Sequence, residues 1–323
     1  MKSPERPEHD EIILRHKNNP ILTAADWPYK INSAFNAGAA VVDREFLLLV
    51  RVEARNGLSH LSAARSRNGE TGWHIDPAPT LLPSPTSHPE EQWGLEDPRL
   101  TRLPDQNRWA VAYTAYSQLG PLVSLALTED FRNFERLGPV LPPENKDAAL
   151  FPVKFKGRYA MIHRPVPKYE GAGAHMWISF SPDLKHWGDH QLLIPARHGG
   201  WWDANKIGIG PPPLETPEGW LILYHGVRQT VSGAIYRLGV ALLDLEDPTR
   251  VLRRSDQWVF GPETPYERTG DVDDVVFSCG WIAKDDILRI YYGGADTQVG
   301  LATAGLKDLL DYVKQFPEGS ADG

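Results

Sequence analysis

Phe180-Ser181-Pro182-Asp183-Leu184, with Trp187 a short step beyond, carries the pattern that decides the fold. A β-prone run stops at an acidic or polar turn, here with a proline, and an aromatic or apolar anchor follows. The same order returns in Ala63-Ala64-Arg65-Ser66 leading to Trp73 and in Leu127-Thr128-Glu129-Asp130-Phe131 leading to Phe134. It returns again in Leu242-Leu243-Asp244-Leu245-Glu246-Asp247-Pro248 before Val251 and Leu252, and in Leu301-Ala302-Thr303-Ala304-Gly305-Leu306 before the final segment. The copies are spaced by roughly 50–65 residues, which suits a four-stranded unit with long loops.

Between these copies lie short β-branched or aromatic runs at 39–52, 109–115, 122–127, 151–155, 159–163, 176–180, 220–225, 239–243 and 288–292, each bounded by turn residues. The 28 glycines and 28 prolines describe many short elements joined by tight turns rather than long helices. An all-β chain that repeats a four-stranded unit removes most of its exposed edges by radial closure. The expected fold is therefore a five-bladed β-propeller. A pair of β-sandwiches would need a linker near the middle of the chain, and the composition shows none. One domain is expected over 1–323, with an N-terminal arm at 1–18 and a C-terminal helix and tail at 305–323. The helix is read over 306–316, where Leu309, Leu310, Val313 and Phe316 fall at helical spacing.

A net charge of −8 without a long basic run argues against nucleic acid or an anionic membrane as the main partner and favours a small polar ligand. The single cysteine, Cys279, excludes an intramolecular disulfide framework and a cysteine-rich zinc site. The histidines show no compact ligand spacing, so no metal is expected. The first ten residues lack the apolar stretch of a signal peptide, and a cytoplasmic location is expected.

A propeller gathers its working residues from the loops of different blades around one funnel. The densest polar cluster is Gly94-Leu95-Glu96-Asp97-Pro98-Arg99-Leu100, two adjacent carboxylates and an arginine in a turn-like stretch ahead of a strand, with Trp93 just upstream. Proline fixes the backbone there and pushes Asp97 towards an extended conformation. Such a preorganised acid beside an aromatic surface suggests carbohydrate chemistry. The alternative is an Asx-type turn in which Asp97 caps local N–H groups and Arg99 neutralises Glu96. Other regions contribute Asn36, Arg51 with Glu53 and Arg55, Asn145-Lys146-Asp147, His163-Arg164-Pro165, Trp201-Trp202-Asp203, Lys206, Tyr224-His225, Tyr236, and Asp271 with Asp273 and Asp274.

Taken in order, the segments 94–100, 146–152, 163–165, 206–213, 224–227 and 275–280 make the chain resemble glycoside hydrolase family 130, the β-mannoside phosphorylases, from about Asn19 to Ala304. The resemblance implies a five-bladed propeller that cleaves β-mannosides with inorganic phosphate and inverts the anomeric centre to give α-mannose 1-phosphate. No metal or nucleotide cofactor is implied; phosphate is a co-substrate. Asp97 would be the single catalytic acid, acting through a sugar hydroxyl as proton relay, with Glu96 shaping the mannose site. Phosphate, already an anionic nucleophile, would replace the second carboxylate of an inverting hydrolase. Arg51, Arg164, Lys206, His225 and Tyr236 are the candidates for holding it, because a desolvated dianion needs charge-assisted donors. Asn36, Asp147, His163, Asp203 and Asp273 are candidates for contacts to sugar, with Trp93 and the Trp201-Trp202 pair as stacking surfaces. Loops at 83–91, 167–174 and 229–234 would shape the acceptor side. Two alternatives stay open, an inverting β-mannosidase using Glu53 or Asp273 as base and a non-catalytic carbohydrate-binding propeller. Relatives of this kind often associate, so a homo-oligomer is expected.

Overall fold

The computed structural model describes residues 12–167 and 173–319. Its strands form antiparallel meanders grouped by hydrogen bonding into sheets of four, four, five and eight strands. The eight-stranded sheet contains one meander starting at Ser33–Val42 and another starting at Gly94–Leu103, which share a single parallel bridge, Ser59 to Gly94. The next meander runs from Asn145–Phe155 to Gly188–Ile194. The five-stranded sheet is built on the hairpin Gly219–Thr230 and Gly233–Leu243. Its first strand is interrupted: Lys206–Ile209 and Leu214–Thr216 pair separately with Gly219–Thr230, because Pro211, Pro212 and Pro213 between them have no N–H to donate.

The last sheet holds Val276–Lys284, Ile287–Gly294 and Gln298–Gly305. Leu14–Arg15 adds the fourth strand by pairing with Thr303 and Ala302. Part of the expected N-terminal arm is thus a strand that ties the start of the described chain to its end; residues 1–11 lie outside the described residues.

Apolar runs bury both faces of the middle strands. Along Glu45–Glu53, alternation sends Leu47 and Leu49 to one side, against Leu95, Val111 and Tyr113 of the following meander. Leu48 and Val50 go to the other side, against Tyr291 and Leu301 of the last sheet. Further interfaces join Leu125 to Leu150 and Met161, Phe151 to Trp220 with ring centroids 5.2 Å apart, and Leu221 and Leu223 to Trp281 and Ile290. Each meander therefore packs on the next, and the last packs on the first.

The run read as one strand over 39–52 is a hairpin, Ser33–Val42 and Glu45–Glu53. Asp43 and Arg44 turn it with φ of 50° and 67°, the left-handed pair whose twist matches the flanking strands. The C-terminal helix spans Leu306–Val313 and buries Leu309, Leu310 and Val313 on the five-stranded sheet and the last sheet. Among the described residues no helix is long and apolar enough to cross a membrane.

Candidate active site

The opening strands of three successive meanders each carry a bulge, between Phe35 and Gly38, Glu96 and Arg99, and Lys146 and Ala149. At each bulge one residue takes left-handed backbone: Asn36 at φ 48°, Asp97 at 51° and Asp147 at 51°. Asn and Asp tolerate this region better than other non-glycine residues. A bulge bends its strand and re-aims a side chain, and here it turns three polar groups into one buried cluster. The segment at 94–100 is accordingly the bulged start of a strand rather than a turn ahead of one, and Asp97 is left-handed rather than extended.

Two donors converge on one oxygen of Asp97. Asn36 Nδ2 donates to Oδ1 at 2.9 Å and Arg51 Nη1 at 3.2 Å, leaving Oδ2 without a hydrogen bond among the described residues. Arg51 also donates to Glu96 Oε1 at 3.1 Å, and Lys146 Nζ to Glu96 Oε2 at 2.9 Å. Burial alone would raise the Glu96 pKa, but these two cations overcome it and hold Glu96 below the ordinary value. Arg99 does not neutralise Glu96. It bonds the carbonyls of Asp97, Ile209 and Gly210 at 3.0 Å each and reaches Asp147 Oδ1 at 3.3 Å, so it ties together three bulged or broken strand ends.

Asp147 is the hub of the other half. Arg164 grips its Oδ2 through Nε at 2.8 Å and Nη2 at 2.7 Å. Burial would again raise the carboxyl, but the guanidinium of Arg164, with that of Arg99, pulls its pKa far below the ordinary range. His225 Nε2 lies 3.4 Å from the same oxygen, yet burial drives the imidazole down to about 3. The ring is therefore neutral near pH 7 and acts on Asp147 as a dipole, not as the cation its place among the phosphate candidates suggested.

A cavity of about 480 Å³ opens over this cluster, with Lys146, Arg164 and Lys206 in its wall beside Asn205 and Gln229. The Lys206 side chain has no ion pair or hydrogen bond among the described residues. Its Nζ stands 5.1 Å from the centroid of the Tyr236 ring. Burial, then the neighbouring Arg164, lowers Lys206 to about 8, while burial raises Tyr236 to about 12. Tyr236 in turn stacks on His225 at 6.0 Å. Half-buried Asp296, left-handed at φ 50°, lies near enough to Arg51, Asp97 and Glu96 to interact with them. Burial raises it to about 7 despite Arg51, with Asp97 and Glu96 adding repulsion.

Asn36, Arg51, Glu96, Asp97, Asp147, Arg164, Lys206, His225 and Tyr236 are thus brought together. His163 is not in the group: alternation sends it to the face opposite Arg164, where Nδ1 donates to Asn145 Oδ1 at 3.1 Å and Nε2 meets Ser179 Oγ at 2.7 Å. Asp203 is buried elsewhere, its Oδ2 accepting from Arg197 at 3.0 Å, Arg254 at 2.8 Å and Tyr224 at 3.1 Å. Trp202 packs in the same interior against Tyr224. Asp273 is exposed and accepts from the Gly270 N–H at 3.2 Å. Trp93, 40% exposed, leads into Gly94 with its ring edge-on to Tyr116 at 5.2 Å. Of the loop at 167–174, residues 168–172 lie outside the described residues.

Sequence reading passed over Lys146 and Arg99 as site residues, although both stand inside the quoted segments, and it missed Asp296 entirely. Alternation from Asp97 could have flagged Arg99, whereas Lys146 adjoins Asp147 and shares its cluster only through the bulge between Lys146 and Ala149. One compact group of metal-ligand types occurs among the described residues, His88, Glu90 and Glu91. Glu91 is already engaged by Tyr113 at 2.8 Å, Arg136 at 3.0 Å and the Ser84 N–H at 2.9 Å, which leaves it poorly suited to a cation.

Glu96 and Asp97, both held by Arg51, thus lie one ion pair away from a cavity walled by Lys146, Arg164 and Lys206. The family model described as β-1,4-mannooligosaccharide phosphorylase matches residues 5–315, and the chain belongs to that family, glycoside hydrolase family 130. It is 36% identical to a β-1,4-mannooligosaccharide phosphorylase of Ruminococcus albus, covering 94% of this chain and 91% of the relative. It is 35% identical to a 1,2-β-oligomannan phosphorylase of a Thermoanaerobacter species, covering 92% and 98%. The solved structure of a β-1,2-mannobiose phosphorylase from Listeria innocua, in complex with β-1,2-mannobiose, superposes with a TM-score of 0.85 at 33% identity over 94% of this chain and 99% of the other.

Proposed function

We propose that the protein cleaves β-mannosides by inverting phosphorolysis, with Asp97 as the acid and inorganic phosphate as the nucleophile. A phosphate oxygen attacks the anomeric carbon from the face opposite the leaving group. The C1–O bond breaks, and the departing oxygen takes a proton that originates on Asp97 and passes through a sugar hydroxyl, giving α-mannose 1-phosphate and the shortened acceptor. Asn36 and Arg51, both bonded to Oδ1, hold Asp97 so that Oδ2 faces this hydroxyl. Glu96 and Asp147 accept from other sugar hydroxyls, and Trp93 offers a platform at the rim.

The observation that carries the reading is the charge of the pocket. Five cations, Arg51, Arg99, Lys146, Arg164 and Lys206, stand with three carboxylates, Glu96, Asp97 and Asp147, and with Asp296, which burial raises to about 7, so the pocket keeps surplus positive charge suited to an anion. Lys206, whose ammonium has no partner among the described residues, is the group most available to phosphate, with Arg164 beside it. A hydrolytic base has weaker support: Glu53 is engaged with Asn32 at 3.4 Å and Asp273 faces solvent.

We read the fold as a single five-bladed propeller domain. The eight-stranded sheet divides at its lone Ser59–Gly94 bridge into two blades, and Leu14–Arg15 completes the last blade. Asp97→Asn is the test of the acid. Turnover of mannobiose should fall by more than about a hundredfold, in line with loss of general acid catalysis, while mannobiose still binds. Turnover close to wild type would remove Asp97 from the mechanism.

A further inference from the structure

A cavity of about 700 Å³, larger than the catalytic one, lies at the outer rim between the five-stranded sheet and the last sheet. It shares no lining residue with the carboxylate cluster. Its walls come from Trp201, Trp258, Phe260, Tyr312, Ile13 and Gln257. Trp201 and Trp258 are each 44% exposed, and each has a guanidinium near its ring, Arg197 at 4.6 Å and Arg237 at 4.3 Å. These stacked arginines help fix the indoles in place. Buried Trp202, whose Nε1 donates to the Asp256 carbonyl at 2.9 Å, anchors the floor and joins the loop that carries Trp201 to the one that carries Trp258.

The charges that line this cavity are matched within the protein. Arg15 bonds Glu263 at 3.1 Å and Glu267 at 2.9 Å, and Asp256 bonds Arg197 at 2.9 Å. Little net charge is left to attract an ionic ligand. Rigid indole faces with hydrogen-bonding groups such as Gln257 between them match a ligand that is neutral, apolar on its C–H faces and rich in hydroxyls. We infer that this rim cavity is a second carbohydrate site that holds a neutral β-mannoside oligosaccharide away from the catalytic pocket. The choice of mannoside rests on the functional reading above; the choice of a neutral sugar rests on the aromatic walls and the paired charges.

The test is calorimetric titration of the full chain, without phosphate, using β-1,4-mannohexaose and a β-1,2-linked mannan oligomer of the same length. Wild type should bind one of them at two sites per chain. Trp258→Ala should weaken one site at least tenfold and leave kcat on mannobiose unchanged, and Trp258→Phe should restore that site. A single site in wild type, or two sites indifferent to Trp258→Ala, would overturn the inference. So would sedimentation showing that wild type associates and Trp258→Ala does not, since the cavity would then receive a second copy. Parallel phosphorolysis of mannobiose separates the two readings. Turnover with a silent rim sinks only the rim site, whereas a rim site without turnover sinks the functional reading.

Discussion

Replacing Lys206 probes the phosphate site at its least encumbered cation. Arg51, Lys146 and Arg164 are already engaged by Glu96, Asp97 or Asp147, so removing one of them also strands a buried carboxylate. Lys206 stands against Tyr236, and Lys206→Ala removes charge without orphaning an acid among the described residues. A charge-assisted hydrogen bond contributes about 1.5–3 kcal/mol, which corresponds to a rise in the phosphate KM of roughly 10–150-fold. The sugar KM should change far less. Burial and Arg164 hold Lys206 at about 8, so in the free enzyme the ammonium is present below that pH and lost above it. Phosphate affinity in wild type should therefore fall as pH rises through 8. Lys206→Arg stays charged across this range and should flatten the fall, while Lys206→Ala should show no such fall because it has no charge to lose. Initial rates against phosphate from pH 6.5 to 9.5 for the three proteins decide the matter, since phosphate's own ionisation is common to all. An unchanged phosphate KM in Lys206→Ala, or identical pH profiles for all three, would refute the reasoning.

Two other substitutions separate scaffold from chemistry. Asp203→Ala leaves Arg197 and Arg254 buried with their shared carboxylate gone and should destabilise the fold by about 3–5 kcal/mol in urea unfolding, with mannobiose KM unchanged in the folded protein. A raised KM at unaltered stability would instead return Asp203 to the sugar site. Gly208→Ala would put a Cβ 2.5 Å from both Asp147 Oδ2 and His225 Cε1. The crowding should cost about 1–3 kcal/mol and, by prising Asp147 from Arg164, lower phosphorolysis more than tenfold, as read by thermal melts and initial rates.

The repeat was legible because its chemistry is local. Asp183 Oδ1 accepts from the N–H groups of Lys185 and His186, Asp130 Oδ1 from Arg132 and Asn133, and Asp244 Oδ1 from Glu246 and Asp247. The same Asx turn thus follows the third strand of three meanders, and a turn closed within a few residues leaves its mark in sequence. The hairpin inside 39–52 left no such mark. Its strands are apolar on both faces, so no period shows, and Asp43-Arg44 turns without glycine.

In the site, Glu96, Asp97, Arg51, Asp147 and Arg164 stood out because their segments concentrate charge. His163 and Arg164 are adjacent, and only the register of the strand decides which one faces the cavity. Asp203 reads like any loop aspartate near tryptophans; of the arginines that claim it, Arg197 lies earlier in the same loop and Arg254 comes from the strand Val251–Arg254. Asp296 is flanked by Ala295 and Thr297 and enters the site only through its left-handed backbone and the packing of the last sheet on the first.

The most direct test of the central claim is the fate of the mannosyl group. The protein is incubated with β-1,2- and β-1,4-mannobiose, with and without inorganic phosphate, and the products are followed by proton and phosphorus NMR. The account predicts α-mannose 1-phosphate from at least one substrate, formed only when phosphate is present. Free mannose released at the same rate without phosphate would contradict it.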